Sequence, residues 1–213
     1  IYYKSTQKNS YGPKNIKLYQ NVQLDRVQHI WSIHYLNKML NFNLNNNNEI
    51  ILEFGAGTGQ LADVLNSLEF KGKHIIYELP IFTILQKYFI EKENIKTNFI
   101  LDDTDLKIIN GTNFLPCNQI ESEKSIMKLD NINFIASYSL TETDIETHNK
   151  FAKYILNFSR VYIIYWPRKD AVGDYIDNKE YIDNLYKNMS NTHNCNIVDN
   201  FGNGKLFTAI KNN

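Results

Sequence analysis

Ile50-Ile51-Leu52-Glu53-Phe54-Gly55-Ala56-Gly57-Thr58-Gly59-Gln60 is the stretch that decides the fold. Three apolar residues run into Glu53, and glycines follow at 55, 57 and 59. The pattern predicts a buried strand that ends in a carboxylate, a tight turn, and a helix beginning near Gln60. Glycines at such a turn let the backbone approach a ligand closely, because a Cβ there would collide with it.

The spacing bears on which ligand that is. A dinucleotide fingerprint, Gly-x-Gly-x-x-Gly, rests a pyrophosphate on the helix N-terminus. Here the third glycine arrives one residue early, and Gln60 stands where that fingerprint needs Gly. A carboxylate at the strand end also sits badly beside a pyrophosphate and well beside a cationic amino acid moiety. Glu53-x-Gly55-x-Gly57-x-Gly59 resembles motif I of the class I S-adenosylmethionine-dependent methyltransferases. The resemblance implies an α/β, Rossmann-like sheet with helices on both faces. It also implies S-adenosyl-L-methionine as cofactor, held around Glu53, Gly55, Ala56, Gly57 and Gly59. A nicotinamide enzyme and a fold that has lost catalysis are the rival readings.

A chain of 213 residues is long enough to bury one substantial core without disulfides or metal. Its charges balance, with 23 basic and 23 acidic side chains, so no polybasic surface argues for nucleic acid or an anionic membrane. No apolar run approaches the length of a membrane span, and no signal peptide is evident. Ile1 is not a methionine, which leaves room for residues before it. Cys117 and Cys195 form no Cys-x-x-Cys pair, and two free thiols suit a reducing cytoplasm.

Outward from motif I, the alternation of strands and helices predicts a mostly parallel sheet with right-handed crossovers. Residues 1–20 read as an irregular arm with a turn at Gly12-Pro13, and Val22–Leu40 as a helix. In that helix Val27, Ile30, Trp31 and His34 share one face and His29, Ile33, Leu36 and Leu40 another, which suggests packing on several sides. Asn43–Asn48 is a loop. Strands are expected at Ile50–Phe54, His74–Leu79, 112–117, Asn133–Tyr138 and Val161–Trp166, with 98–101 a small excursion. Helices are expected at Gly59–Leu68, Pro80–Lys92, Thr143–Phe158 and Tyr175–Met189. Cys195–Phe201 and Lys205–Lys211, joined by Gly202-Asn203-Gly204, predict a terminal hairpin that adds one antiparallel strand. Residues 1–48 then form an arm and helix on the substrate side, acting as a lid with 168–190, and residues 49–213 the cofactor domain.

Glu78 ends the second strand, twenty-five residues beyond Glu53, where a carboxylate can accept both hydroxyls of a ribose. Leu79 would lie against the adenine face. Asn118 can offer a donor and an acceptor to the adenine edge, or serve as an ordinary loop asparagine. Ser137 ends the fourth strand, next to the ligand crevice of an open α/β sheet. The loop after it, Ser137-Tyr138-Ser139-Leu140-Thr141-Glu142-Thr143, resembles that of the sugar O-methyltransferase family, together with Glu78-Leu79-Pro80 and Phe114-Leu115-Pro116-Cys117. That family has a Ser-x-x-Glu character here, met by Ser139 and Glu142. The resemblance covers about residues 20–170 and implies a small, sugar-like acceptor.

Methylation of a hydroxyl requires the protein to position the acceptor and remove its proton. Glu142 is either that base or a cap on the helix that follows. Asp25 and His29, four apart on one helix, can touch, either as a base with its orienting carboxylate or as a helix-stabilising pair. His34 reads as a packing histidine and His148 as solvent-facing. Tyr138, Tyr165 and Trp166 sit at strand ends, where aromatics serve sugar sites or the core. His and carboxylates show no compact metal-ligand spacing, and no Asn-Pro-Pro-Tyr-like sequence follows the fourth strand.

Overall fold

The computed structural model describes residues 24–101, 107–167, 177–200 and 204–212. The arm at 1–20, the Gly202-Asn203 turn and the start of the 168–190 segment lie outside them. Eight strands form one sheet: β1 (Ile50–Phe54), β2 (Lys73–Glu78), β3 (Thr97–Phe99), β4 (Gly111–Pro116), β5 (Ile132–Ser137), β6 (Arg160–Tyr165), β7 (His193–Asp199) and β8 (Lys205–Lys211). Their order is β3-β4-β2-β1-β5-β6-β8-β7. Pairings β2–β4, β3–β4 and β5–β6 are parallel, while β8 runs antiparallel to both β6 and β7. The predicted hairpin therefore forms, with β8 the reversed strand inside it.

Among the described residues six α-helices accompany the sheet: α1 (Leu24–Met39), α2 (Gln60–Ser67), α3 (Pro80–Lys92), α4 (Ile120–Ile126), α5 (Ile145–Ile155) and α6 (Asn178–Met189). The chain divides into two compact units, Ile1–Ile51 with Ala56–Ile126, and Leu52–Gly55 with Met127–Asn213. All five residues of β1 are buried, as expected of a central strand covered on both faces.

In the first unit, Ala56, Ala62, Ile76, Ile90, Ile95 and Phe114 close a core between α2, α3 and the strands. Pro80 takes the first turn of α3, where its missing N–H costs no hydrogen bond. The buried face of α1 carries Ile33, Leu36 and Arg26, whereas Trp31 is exposed, so the second of the two predicted faces is the packed one. Arg26 reaches α2 in a fully buried ion pair with Asp63, and its Nη2 donates to Ser67 Oγ at 3.4 Å. A pair of this kind fixes the register of two helices, because removing one partner strands a buried charge.

Two elements depart from expectation. Thr97–Phe99 is no excursion: it pairs with β4, Thr97 opposite Thr112 and Phe99 opposite Phe114. Three residues are too few to show an alternating pattern, and a short strand is a common way to end a sheet. The helix α4 was unforeseen because its seven residues, Ile-Glu-Ser-Glu-Lys-Ser-Ile, carry little apolar periodicity. Its buried Glu123 accepts a hydrogen bond from Tyr77 Oη at 2.7 Å.

In the second unit, Phe54, Phe134, Phe151 and Phe158 form an aromatic cluster with centroids 4.6–6.5 Å apart. The helix expected at Thr143–Phe158 is α5 alone. It is shorter than expected at both ends: a separate 3-10 turn at Ser139–Glu142 precedes it, and Asp144 caps α5, accepting from Thr147 N–H at 2.7 Å.

Candidate functional site

The three glycines of motif I each have a positive φ: 70° at Gly55, 56° at Gly57 and 80° at Gly59. All lie in the left-handed region that L side chains avoid. What a side chain would meet differs at each. At Gly59 a Cβ would stand 2.9 Å from Ile90 Cδ1, so this glycine lets α3 pack against the start of α2. At Gly55 it would stand 2.4 Å from Ser139 Cβ. At Gly57 it would meet nothing within 4 Å, and the residue is exposed. Gly59 N–H donates to Ala56 O at 2.8 Å, closing the turn, while Ala56 itself is buried in the core.

In the first unit the turn is held from α3. Gln86 Nε2 donates to Gly57 O at 2.8 Å and lies 3.4 Å from Glu78 Oε2. Glu78 Oε1 accepts from Leu79 N–H at 2.9 Å, so the carboxylate is oriented by its own backbone. Gln86 is buried on a helix whose exposed face, Ile81, Ile84, Leu85 and Tyr88, is apolar. The exposed face of α3 is thus apolar, while its buried face carries Thr83 and Gln86 beside Ile90, and Gln86 serves the glycine turn. Leu79 is 51% exposed beyond Glu78. Cys117 N–H donates to Glu78 O at 2.8 Å, and Asn118 is exposed in the turn after β4. Cys117 and Cys195 are free thiols, as expected.

In the second unit Glu53 is buried at the end of β1. Ser139 Oγ donates to Phe54 O, so the first residue of the 3-10 turn is tied to the strand that enters motif I. Ser137 Oγ is buried with no hydrogen-bond partner among the described residues. Tyr138, between them, has φ 67° and ψ −33°, a conformation rare for an aromatic residue. Its ring stacks on Trp166 with centroids 4.9 Å apart and planes 15° from parallel. Tyr165 faces the core instead; burial and then Asp183 push its hydroxyl up to about 12. Glu142 is exposed, and since Asp144 caps α5, capping is not its role.

The histidines sort differently from expectation. His148 is fully buried, its Nε2 donating to Leu140 O at 2.8 Å and its ring stacked on Tyr181 at 4.4 Å. The expected solvent-facing position was wrong because α6 covers that face of α5 through Tyr181. Desolvation holds its pKa below the ordinary imidazole value. His34 is half-buried with its ring 6.0 Å from Trp31, a packing role as expected. His29 is half-buried on α1.

The site residues that sequence reasoning missed are Gln86 and Asp144. A glutamine inside Pro-Ile-Phe-Thr-Ile-Leu-Gln-Lys-Tyr-Phe-Ile was the available signal for the first. Among the described residues no group of three or more His, Cys, Asp or Glu is placed to hold a metal ion, and no helix is long and apolar enough to cross a membrane.

No family model and no curated protein matches this sequence. Solved structures do. The small RNA methyltransferase HEN1 superposes with a TM-score of 0.59 at 9% identity, over 96% of this chain and 27% of its own. A SAM dependent methyltransferase from Aquifex aeolicus superposes with a TM-score of 0.54 at 15% identity, over 85% of this chain and 89% of its own. The structure of PigF with SAH gives 0.50 at 13%, over 85% and 61%. This chain spans between 54% and 66% of the length of several others. At such identities the likeness is one of architecture, and the chain has the class I, Rossmann-like fold of these methyltransferases.

Proposed function

We propose that this chain is an S-adenosylmethionine-dependent O-methyltransferase whose acceptor is a hydroxyl of a small polar molecule, a sugar or sugar-nucleotide bound for a surface glycan. The observation that carries the cofactor is the division of labour in the glycine turn. Protein atoms take the space that side chains would fill at Gly55 and Gly59, whereas the space at Gly57 is left clear. A methyltransferase fold and the Glu53 and Glu78 carboxylates support the same reading. In this reading Glu53 serves the amino acid moiety, Glu78 the ribose hydroxyls, half-exposed Leu79 the adenine face and Asn118 the adenine edge, and Ser137 is a further cofactor residue.

When bound, S-adenosylmethionine supplies a methyl group on a sulfonium leaving group. The protein's own work is then to place the acceptor hydroxyl in line and take its proton. Glu142, exposed on the turn that Ser139 anchors, is the proposed base, and His29 on α1 the second candidate.

Isothermal titration tests the cofactor. S-adenosylhomocysteine should bind, and Gly57→Arg should abolish binding while leaving the fold intact by circular dichroism. Affinity for NAD alone would overturn the reading.

A further inference from the structure

The least comfortable backbone among the described residues of the second unit belongs to Tyr138. Its φ of 67° is held from both sides: Tyr138 N–H donates to Ile164 O at 2.8 Å, and Thr141 Oγ1 donates to Tyr138 O at 2.9 Å. A bulky side chain is kept in such a conformation where its surroundings over-determine it, and these positions cluster at binding sites. The strain delivers a phenol ring in near-parallel contact with the indole of Trp166. Trp166 is fixed in turn, since Asn178 Nδ2 donates to its carbonyl at 3.1 Å. Both rings are half-exposed rather than absorbed into the core, unlike Tyr165 next door. They follow the carboxyl ends of adjacent parallel strands, β5 and β6, which is where ligands lie in open α/β sheets. Burial raises the pKa of the Tyr138 hydroxyl, so the ring stays neutral and is no proton acceptor near neutral pH.

We infer that the Tyr138–Trp166 stack is the platform for the methyl acceptor, and that the acceptor is a six-membered sugar ring laid with its C–H face on the outer face of the Trp166 ring, which Tyr138 backs. An indole held rigid by a ring stacked behind it offers one flat apolar face at little entropic cost, and a pyranose presents a matching flat face with hydroxyls at its rim. A rim hydroxyl is what Glu142, four residues on in the same turn, would deprotonate. The inference rests on the methyltransferase reading and names its acceptor class and two positioning residues.

The test uses Trp31→Phe protein, leaving Trp166 as the one indole of the 213-residue chain, loaded with S-adenosylhomocysteine. A panel of methyl pyranosides is titrated against the emission of Trp166, beside p-cresol as a planar aromatic probe. Saturable change with at least one pyranoside is expected. In a separate turnover assay with S-adenosylmethionine, Trp166→Ala should raise the KM for that pyranoside at least tenfold, with kcat changed less than threefold and S-adenosylhomocysteine affinity within twofold; Trp166→Phe should recover most of the loss. Response to p-cresol alone, or unchanged pyranoside KM in Trp166→Ala, would overturn the inference while the cofactor reading stands. Loss of S-adenosylhomocysteine binding in the parent protein would instead remove the reading beneath it.

Discussion

Gln86 Nε2 lies 2.8 Å from the carbonyl oxygen of Gly57, twenty-nine residues before it, and 3.4 Å from the Glu78 carboxylate. One side chain on α3 therefore sets both the orientation of a glycine peptide and the position of the acid at the end of β2. Removing it takes away one hydrogen bond to the exposed Gly57 peptide, whose carbonyl water can then reach, so the cost to stability should be only about 0.5–1.5 kcal/mol. Gln86→Leu should keep the fold and lose roughly tenfold in S-adenosylhomocysteine affinity, which corresponds to about 1.4 kcal/mol. Titration calorimetry paired with a melting curve reads both; affinity unchanged at lowered melting temperature would confine Gln86 to a structural role.

The glycines of motif I should separate in their response to alanine. Gly55→Ala drives a methyl group to 2.4 Å from Ser139 Cβ at a positive φ, and overpacking plus backbone strain should cost about 3 kcal/mol. Gly57→Ala meets no neighbour and should cost about 1 kcal/mol, from strain alone. Urea unfolding of the two variants would show the order, and equal losses would refute the assignment of Gly55 to the Ser139 contact.

Glu142 is exposed on its 3-10 turn and takes no part in capping α5, so its loss should leave stability untouched. As the general base it should contribute about 10²–10⁴ in rate. Glu142→Gln should therefore lower kcat at least a hundredfold while melting temperature and cofactor affinity stay within error. Unchanged kcat would pass the role to His29.

His148 makes stability depend on pH. Its folded pKa lies below the ordinary imidazole value, with desolvation the leading cause and the Leu140 carbonyl and Asp144 opposing it. The unfolded chain then binds a proton more readily than the folded one, so stability rises with pH between the two values. Acidification should begin to cost stability as pH falls through the ordinary imidazole range, and the loss should level off below the depressed value. His148→Gln, which can keep a donor toward Leu140 O, should flatten the melting temperature across that window. An unaltered pH profile would show that another group governs it.

Much of the architecture was legible because it is written in local pattern. Buried runs such as Ile50–Phe54 and Ile132–Ser137, divided by glycine, proline and helical periodicity, lead to strands and helices in the right order. The glycine spacing in motif I was readable for the same reason: a positive φ leaves a mark on residue choice. Short elements were lost. Thr97–Phe99 and Ile120–Ile126 are too brief for a period to show, and both exist because neighbours accept them, β4 in one case and Tyr77 in the other.

What the sequence determined by itself is therefore the sheet, the turn at 55–59, and the residue types that surround it. What only the tertiary structure decided is the work each of those residues does. Nothing local reveals that Gly55 makes room for Ser139 while Gly57 faces open space, that Gln86 reaches back to Gly57, or that His148 is covered by Tyr181. The physical reason is reach: backbone conformation is set within a few residues, but burial and hydrogen-bond partnership depend on atoms tens of residues away that the fold brings within 3 to 5 Å.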